Sequence, residues 1–275
     1  MVISSKSNEK VKFLKNLNDK KFRKINKAYY LEGLKVTYEV LKKEKVDNIL
    51  FIAYSSNLIQ KINDENNYFR KILDFCNKNK IEILEFENNL IEYVTDTVTP
   101  QGIICVLRKN EKKLEEEIKL NKDKDLFILD SVQDMGNLGT IIRNAAAFNI
   151  KNIICLDGTA DIFSPKVLRA TMGTIFDVNV FYLNFDEVYD FLKNNGYKII
   201  GTSLNSSENF EKLKFDEKYA FVLGNEANGV SLNILKKCDK LIKIDMENNI
   251  DSLNVSVASG IIGYTSYLKR KKLEV

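Results

Sequence analysis

Short apolar runs recur through the second half of this chain, each followed by a stretch with helical spacing, and few folds satisfy that alternation. Leu126-Phe-Ile-Leu-Asp130, Asn152-Ile-Ile-Cys-Leu156, Phe176–Leu183, Lys198-Ile-Ile-Gly201, Tyr219-Ala-Phe-Val-Leu-Gly224 and Lys240-Leu-Ile-Lys-Ile244 read as strands. Helices are predicted at Gly139–Asn149, Pro165–Gly173, Asp186–Asn195 and Ser256–Arg270. Strands apolar on both faces and separated by helices form a parallel sheet covered on both sides. The fold class is therefore α/β, and ligands are expected beyond the carboxyl ends of the strands.

The first half reads as a smaller α/β unit. Residues 4–45 have helical character, with apolar residues at Val11, Phe13, Leu14 and Leu17 on one face. Asn48–Tyr54, Ile81–Phe86 and Val98–Leu107 read as strands, and Ile59–Asn77 as a helix. Residues 108–125 are mostly charged and make the best boundary. This gives a domain over 1–107, a charged linker over 108–125 that includes at most a short exposed helix, and a second domain over 126–275.

Composition narrows the chemistry. The 275 residues include no histidine, so the commonest general base and metal ligand is missing. Any proton transfer must use a carboxylate, Lys, Tyr, Arg, water or the substrate, and no metal is suggested. The four cysteines, Cys76, Cys105, Cys155 and Cys238, are far apart in sequence and form no zinc or redox motif. No apolar run approaches the roughly 18 residues needed to span a bilayer, and no secretion signal opens the chain, so a cytoplasmic location is expected. Residues 1–45 carry 13 Lys/Arg against 5 Asp/Glu, whereas 111–275 carry 22 against 24. A basic segment on a near-neutral body suits a polyanion, although a solvated lysine-rich face fits equally well. Only six of the 42 basic residues are Arg, which draws attention to Arg143 and Arg169.

Three polar segments fall at strand ends. The first, Asp130–Gly139, is expected to be a loop entering a helix that carries Arg143, with Asn137 and Gly139 in the entry turn. A guanidinium there suits phosphate or carboxylate, or makes a structural ion pair. The second, Gly224-Asn-Glu-Ala-Asn-Gly229, places Glu226 in a glycine-bounded turn and lacks both the dinucleotide fingerprint and the phosphate-loop lysine. The third, Asp245–Asp251, leads into Ser252-Leu-Asn-Val-Ser-Val-Ala-Ser-Gly260, where small polar residues sit at the start of a helix.

Together these segments resemble the three motifs of the SpoU/TrmH family of RNA ribose 2′-O-methyltransferases. Asn137, Gly139 and Arg143 match the first, with Phe163–Gly173 as its continuation; Gly224, Glu226 and Gly229 match the second; Ser252–Ala258 matches the third without a break. The resemblance covers about 125–270. Residues 1–107 more weakly resemble the family's L30e-like RNA-binding extension.

The resemblance implies a deep trefoil knot of the SPOUT type in the C-terminal parallel-sheet domain, preceded by the small L30e-like α/β domain. It implies S-adenosylmethionine as cofactor, bound mostly through backbone at Leu223, Gly224, Ile244, Met246 and Leu253. It implies a homodimer with the last helix in the interface, faced by Val257, Ile261, Ile262, Tyr264 and Leu268. RNA is the implied substrate, ribosomal (23S) in the first instance and transfer RNA as the alternative. Arg143 would activate the ribose oxygen, either as base or by stabilising an alkoxide, with Asn137 positioning it. Glu226, Ser252 and Asn254 would fix Arg143, substrate or cofactor. Two departures stand in the third motif: Asp245 where the family usually has Pro, and Asn248 where it usually has Gly. A non-catalytic RNA-binding member is the competing reading; a nucleotide-binding dehydrogenase lacks its glycine fingerprint.

Overall fold

The computed structural model describes residues 2–95, 97, 99–110, 112–203, 206, 208–247 and 252–273, except 121–124. Asn248 lies outside them. The chain divides into two units, one of residues 1–111 with 163–176, the other of 112–162 with 177–275.

The first unit runs α1 (Glu9–Asn16), α2 (Lys20–Asn26), β1 (Ala28–Glu32), α3 (Leu34–Lys43), β2 (Ile49–Tyr54), α4 (Ser56–Ile59), α5 (Tyr68–Asn79), β3 (Ile83–Glu85), α6 (Asn88–Thr95) and β4 (Ile103–Arg108). Its sheet has the order β1-β4-β2-β3, with β4 antiparallel to both neighbours and β2 parallel to β3. Leu14 of α1 and Leu17 just after it, with Leu90, Ile91 and Val94 from α6, pack on Tyr30, Phe51 and Val106 of the sheet.

The helical reading of 4–45 fails at β1. Lys27 closes α2 in a left-handed conformation (φ 46°) and redirects the chain. The next five residues are all buried as a strand on β4. Tyr29 and Tyr30 favour that pleated, buried surface over a helix. The Tyr30 hydroxyl donates to Asn18 Oδ1 at 2.8 Å, which seats the strand beneath the α1–α2 turn.

The second unit runs α7 (Leu114–Leu120), β5 (Leu126–Leu129), α8 (Met135–Ala147) and β6 (Asn152–Cys155). It resumes, after α9 (Pro165–Thr171) in the first unit, with β7 (Asn179–Tyr182), α10 (Phe185–Asn194), β8 (Tyr197–Thr202), β9 (Lys218–Leu223), α11 (Leu232–Leu235), β10 (Lys240–Ile242) and α12 (Val255–Leu273). All six strands are parallel, in the order β10-β8-β9-β5-β6-β7. Alternate side chains serve the two faces, as a period of two requires. Leu126, Ile128, Ala220 and Val222 join the core under α7, α10 and α11. On the other face α12 packs along α8, and Gly263 lies against Phe148 and Phe127.

Two expectations shift here. The charged segment 108–125 contains α7, which is not an exposed helix: Leu114 and Ile118 are buried in the sheet core. These two residues, one helical turn apart, decide its packing, while Glu115, Glu116 and Lys119 are exposed. The segment Phe163–Gly173, matched in sequence to the methyltransferase motif, lies in the first unit. There Arg169 faces the buried Glu32 carboxylate at 3.7 Å, so its guanidinium is a packing contact. Burial raises the Glu32 pKa despite the Gln101 N–H and Arg169 opposing it.

Candidate active site

Helix α8 begins at Met135, four residues earlier than the sequence suggests. The Asp134 carboxylate accepts from the Asn137 N–H at 2.7 Å and caps the helix. Asn137 and Gly139 are therefore inside the first turns, and the capping signal was Asp134, which the two nearby glycines obscured. Gly139 is buried.

The second segment is a tight loop after β9. Asn225 and Gly229 exchange two backbone hydrogen bonds at 2.9 Å, and Gly229 is left-handed (φ 68°). A Cβ at Gly224 would stand 2.1 Å from the Gly229 carbonyl carbon, so only glycine fits where the loop folds back on itself. Asn225, missed from sequence, organises this turn. Its Oδ1 accepts from Ala227 and Asn228 N–H, and its Nδ2 donates to the Ser131 carbonyl. Beneath it, the Asp130 carboxylate accepts from the Ser231 N–H at 2.7 Å.

The third segment caps α12. Asn254 Oδ1 accepts from the Ser256 N–H at 2.8 Å and from the Ser256 hydroxyl at 2.6 Å. That bond fixes the amide, so Asn254 Nδ2 is the atom that donates to Asn137 Oδ1, at 3.0 Å. Asn137 Nδ2 in turn donates to Glu226 Oε1 at 3.1 Å. Glu226 also accepts from the Asp134 and Gln133 N–H groups at 3.3 and 3.5 Å. A directional relay thus runs from the N-terminus of α12 through Asn254 and Asn137 to Glu226, joining all three segments. Each amide nitrogen carries a second N–H that no described residue receives. Burial would raise the Glu226 pKa, but the Asn137 amide and the backbone donors outweigh it and hold the carboxyl below its usual range. Glu226 is therefore an anion that anchors donors, unsuited to accept a proton near neutral pH.

Behind the relay, Asn144 of α8 donates to the Ser256 carbonyl at 2.8 Å and to the Ser259 hydroxyl at 2.9 Å. This second tie between α8 and α12 was also missed; its signal was an Asn seven residues, two helical turns, after Asn137.

Arg143 does not join the relay. Six residues along an α-helix turn it about 120° away from Asn137. It is exposed and makes no ion pair or hydrogen bond among the described residues. Within one chain, then, Asn137 does not hold it, contrary to expectation, and of the roles expected for Glu226 those toward substrate and cofactor remain. Ser252 is likewise exposed and without a hydrogen-bond partner among them.

Four of the five residues expected at the cofactor share one property; Leu223 is the exception, its carbonyl accepting from the Asp130 N–H at 2.9 Å. Leu223 and Gly224 are buried at the end of β9, and Ile244, Met246 and Leu253 are half-buried. The backbone groups of Gly224, Ile244, Met246 and Leu253 enter none of the turn and loop hydrogen bonds among the described residues. Apolar side chains beside unpaired backbone donors and acceptors at strand ends fit a ligand such as S-adenosylmethionine, with a flat base and polar edges. The strand predicted to Ile244 ends at Ile242. Asp245 bonds the Asn209 amide, so the residue that departs from the motif ties its loop to the segment before β9. Among the described residues no group of His, Cys, Asp or Glu is arranged to hold a metal ion, and no helix is long and apolar enough to cross a membrane. Cys105 and Cys155 are fully buried, which pushes their thiols up, and Cys238 is pushed up to about 12.

Residues 124–264 match the SpoU rRNA Methylase family, and residues 8–105 match the MRM3-like substrate binding domain. The chain is 31% identical over 262 residues to the 23S rRNA (guanosine(2553)-2′-O)-methyltransferase RlmP of Bacillus subtilis, covering 95% of this chain and 97% of that one. It is 30% identical over 221 residues to a putative TrmH family tRNA/rRNA methyltransferase of Staphylococcus epidermidis, covering 78% and 86%. The crystal structure of an AdoMet-bound rRNA methyltransferase from Sinorhizobium meliloti superimposes with a TM-score of 0.83 at 25% identity, covering 99% and 98%.

Proposed function

The chain belongs to the SpoU rRNA methylase family, and on that premise we propose that it transfers a methyl group from S-adenosylmethionine to a ribose 2′ oxygen of 23S ribosomal RNA. The observation that carries this reading is the relay Asn254–Asn137–Glu226, which brings the three family motifs to one place at the carboxyl end of the parallel sheet. The cofactor, when bound, supplies an electrophilic methyl group. Leu223, Gly224, Ile244, Met246 and Leu253 would hold it through backbone groups and apolar contact.

The chain's own residues must orient the ribose and ease the loss of its proton. Asn137 and Asn254 each offer one remaining N–H to a substrate oxygen. Glu226 is too acidic to take the proton, and there is no histidine. Arg143, exposed and without an ion pair among the described residues, is available to an RNA phosphate and to a developing alkoxide, which a cation stabilises without accepting a proton. Ser252, exposed beside Asn254, is placed to meet the same substrate.

The protein works as a homodimer in this reading. Val257, Ile261, Tyr264 and Leu268 follow one another at spacings of four, three and four along α12, and Val257, Tyr264 and Leu268 are exposed (50%, 50% and 38%). Ile262, expected in that face, is instead fully buried in the core. A trefoil knot through the segment between β10 and α12 and action in the cytoplasm belong to the same proposal, as does an RNA-holding role for the first unit.

The test is transfer of a radiolabelled methyl group to 23S ribosomal and transfer RNA that lack native modification, with Arg143→Ala alongside. Label in the ribosomal RNA, resistant to alkali at a single linkage and lost in the variant while S-adenosylmethionine still binds within a few-fold, is the expected result. Unchanged turnover by the variant contradicts the role given to Arg143. Label in transfer RNA alone contradicts the substrate, and no label despite cofactor binding supports a non-catalytic RNA binder.

A further inference from the structure

The structure sorts the basic residues at the start of the chain into structural and available ones. Arg23 is 6% exposed and spends its guanidinium on the Leu17 carbonyl at 2.6 Å. Lys10 is paired with Glu82 and lies over the Phe51 ring. Lys20, Lys21 and Lys24 of α2 are exposed and have no ion pair or hydrogen bond among the described residues. The nearest acid, Asp19, is occupied in capping α2 through the Phe22 N–H at 2.7 Å.

At 100° per residue, Lys20, Lys24, Lys21 and Ile25 fall in that angular order within an arc of about 140°. Ile25 is 70% exposed, in a helix whose opposite side buries Arg23 and packs Phe22 edge-on against Phe13. Nothing in the packing of the unit requires an isoleucine there. An exposed apolar side chain at the edge of three cations that have no ion pair among the described residues is a poor solvated surface and a good seat for a polyanion that carries apolar faces.

We propose that this face of α2 (Lys20, Lys21, Lys24 and Ile25) is the RNA-docking surface of the first unit, the lysines meeting successive phosphates and Ile25 supporting an unpaired base. It rests on the reading of the chain as an RNA methyltransferase and adds to it the place where the substrate is held. Unpaired bases in loops expose faces that stack on side chains, whereas paired helices present mainly backbone. The surface therefore favours a ribosomal RNA loop over a duplex. Its lysines carry affinity and register, not base identity.

The test uses the full-length protein and an in vitro transcript of 23S ribosomal RNA, with binding measured across a salt series. Three variants are compared: Lys20→Gln/Lys21→Gln/Lys24→Gln, Ile25→Ser, and a control removing equal charge from α5 and its C-cap, Lys71→Gln/Lys78→Gln/Lys80→Gln. Circular dichroism and S-adenosylmethionine affinity report that each is folded. The α2 triple should bind at least tenfold more weakly at about 0.15 M salt, with a log–log salt slope shallower by about 2 to 3, since each phosphate contact contributes about 0.7–0.9. Ile25→Ser should bind several-fold more weakly with an unchanged slope, and the α5 control should bind like the unaltered protein. Equal losses in the two triples would reduce the effect to net charge and overturn the proposal, as would unaltered binding by the α2 triple. Failure of the unaltered protein to bind or methylate any RNA would instead overturn the functional reading itself. Loss on duplex RNA but not on loop RNA would overturn the role of Ile25.

Discussion

The two ends of α12 are tied to the sheet in opposite ways. At the C-terminal end, Arg270 makes a two-pronged ion pair with Asp125, donating through Nε at 2.7 Å and through Nη2. It also donates to the Glu217 and Phe215 carbonyls. The Ser266 hydroxyl and the Tyr219 N–H complete the Asp125 carboxylate, which is 2% exposed. At the N-terminal end, the Asn254–Asn137–Glu226 relay is open to solvent, ends in the Glu226 carboxylate and leaves one N–H of each asparagine amide without a partner among the described residues. A satisfied, buried charge pair fixes one arrangement; an exposed, partly satisfied network can accept a ligand at small cost. The sheet thus fastens the helix at one end and leaves the chemistry to the other.

If that contrast is right, damage at the two ends will be read by different instruments. Arg270→Ala should have the largest effect on stability, a loss of about 3 kcal/mol, because it strands a buried carboxylate. Urea unfolding measures it, and a loss below about 1 kcal/mol would mean the buried pair does not hold the helix. Gly224→Ala comes next. Its new methyl group meets backbone, so about 1–3 kcal/mol of destabilisation is expected, and a protein as stable as wild type would show that the loop relaxes. Glu226→Gln should leave the unfolding midpoint nearly unchanged. It should slow methyl transfer about tenfold, roughly 1.4 kcal/mol, by the same factor between about pH 6 and pH 9, since the carboxyl titrates below its usual range of about 4.3. A group whose folded pKa is lowered stabilises the fold above its unfolded pKa and loses that contribution as pH falls through the folded value. Acid, not alkali, should therefore loosen the relay. A rate ratio that changes across that window would give Glu226 a proton-transfer role.

The parallel sheet was legible because its signal is local. Leu126–Leu129 and Lys218–Leu223 are short apolar runs whatever their partners. The motif residues Asn137, Glu226 and Asn254 were legible as polar side chains at strand ends, and the structure joins them. Their partners were not legible. Asn137 and Glu226 are 89 residues apart, and Asp125 and Arg270 are 145 apart, and no periodicity encodes such a choice. Arginine scarcity drew attention to Arg143 and Arg169, yet Arg270 makes the fullest use of the planar fork. Arg143 and Asn137 looked like partners because six residues seem close in sequence. The helix begins before Asn137, and its turn separates them. The strand β1 was hidden by helical neighbours on both sides, and only the left-handed Lys27 reveals the break.

The most direct test of the division between the two ends is Asn137→Ala, with urea unfolding and single-turnover methyl transfer measured on the same preparation. Asn137 receives one hydrogen bond and gives another, at an accessible site. The expected result is a stability loss of no more than about 1 kcal/mol and a fall in methyl transfer of about a hundredfold. A fall in transfer no larger than the loss of folded protein would make the relay a scaffold like the Asp125 pair and contradict the account.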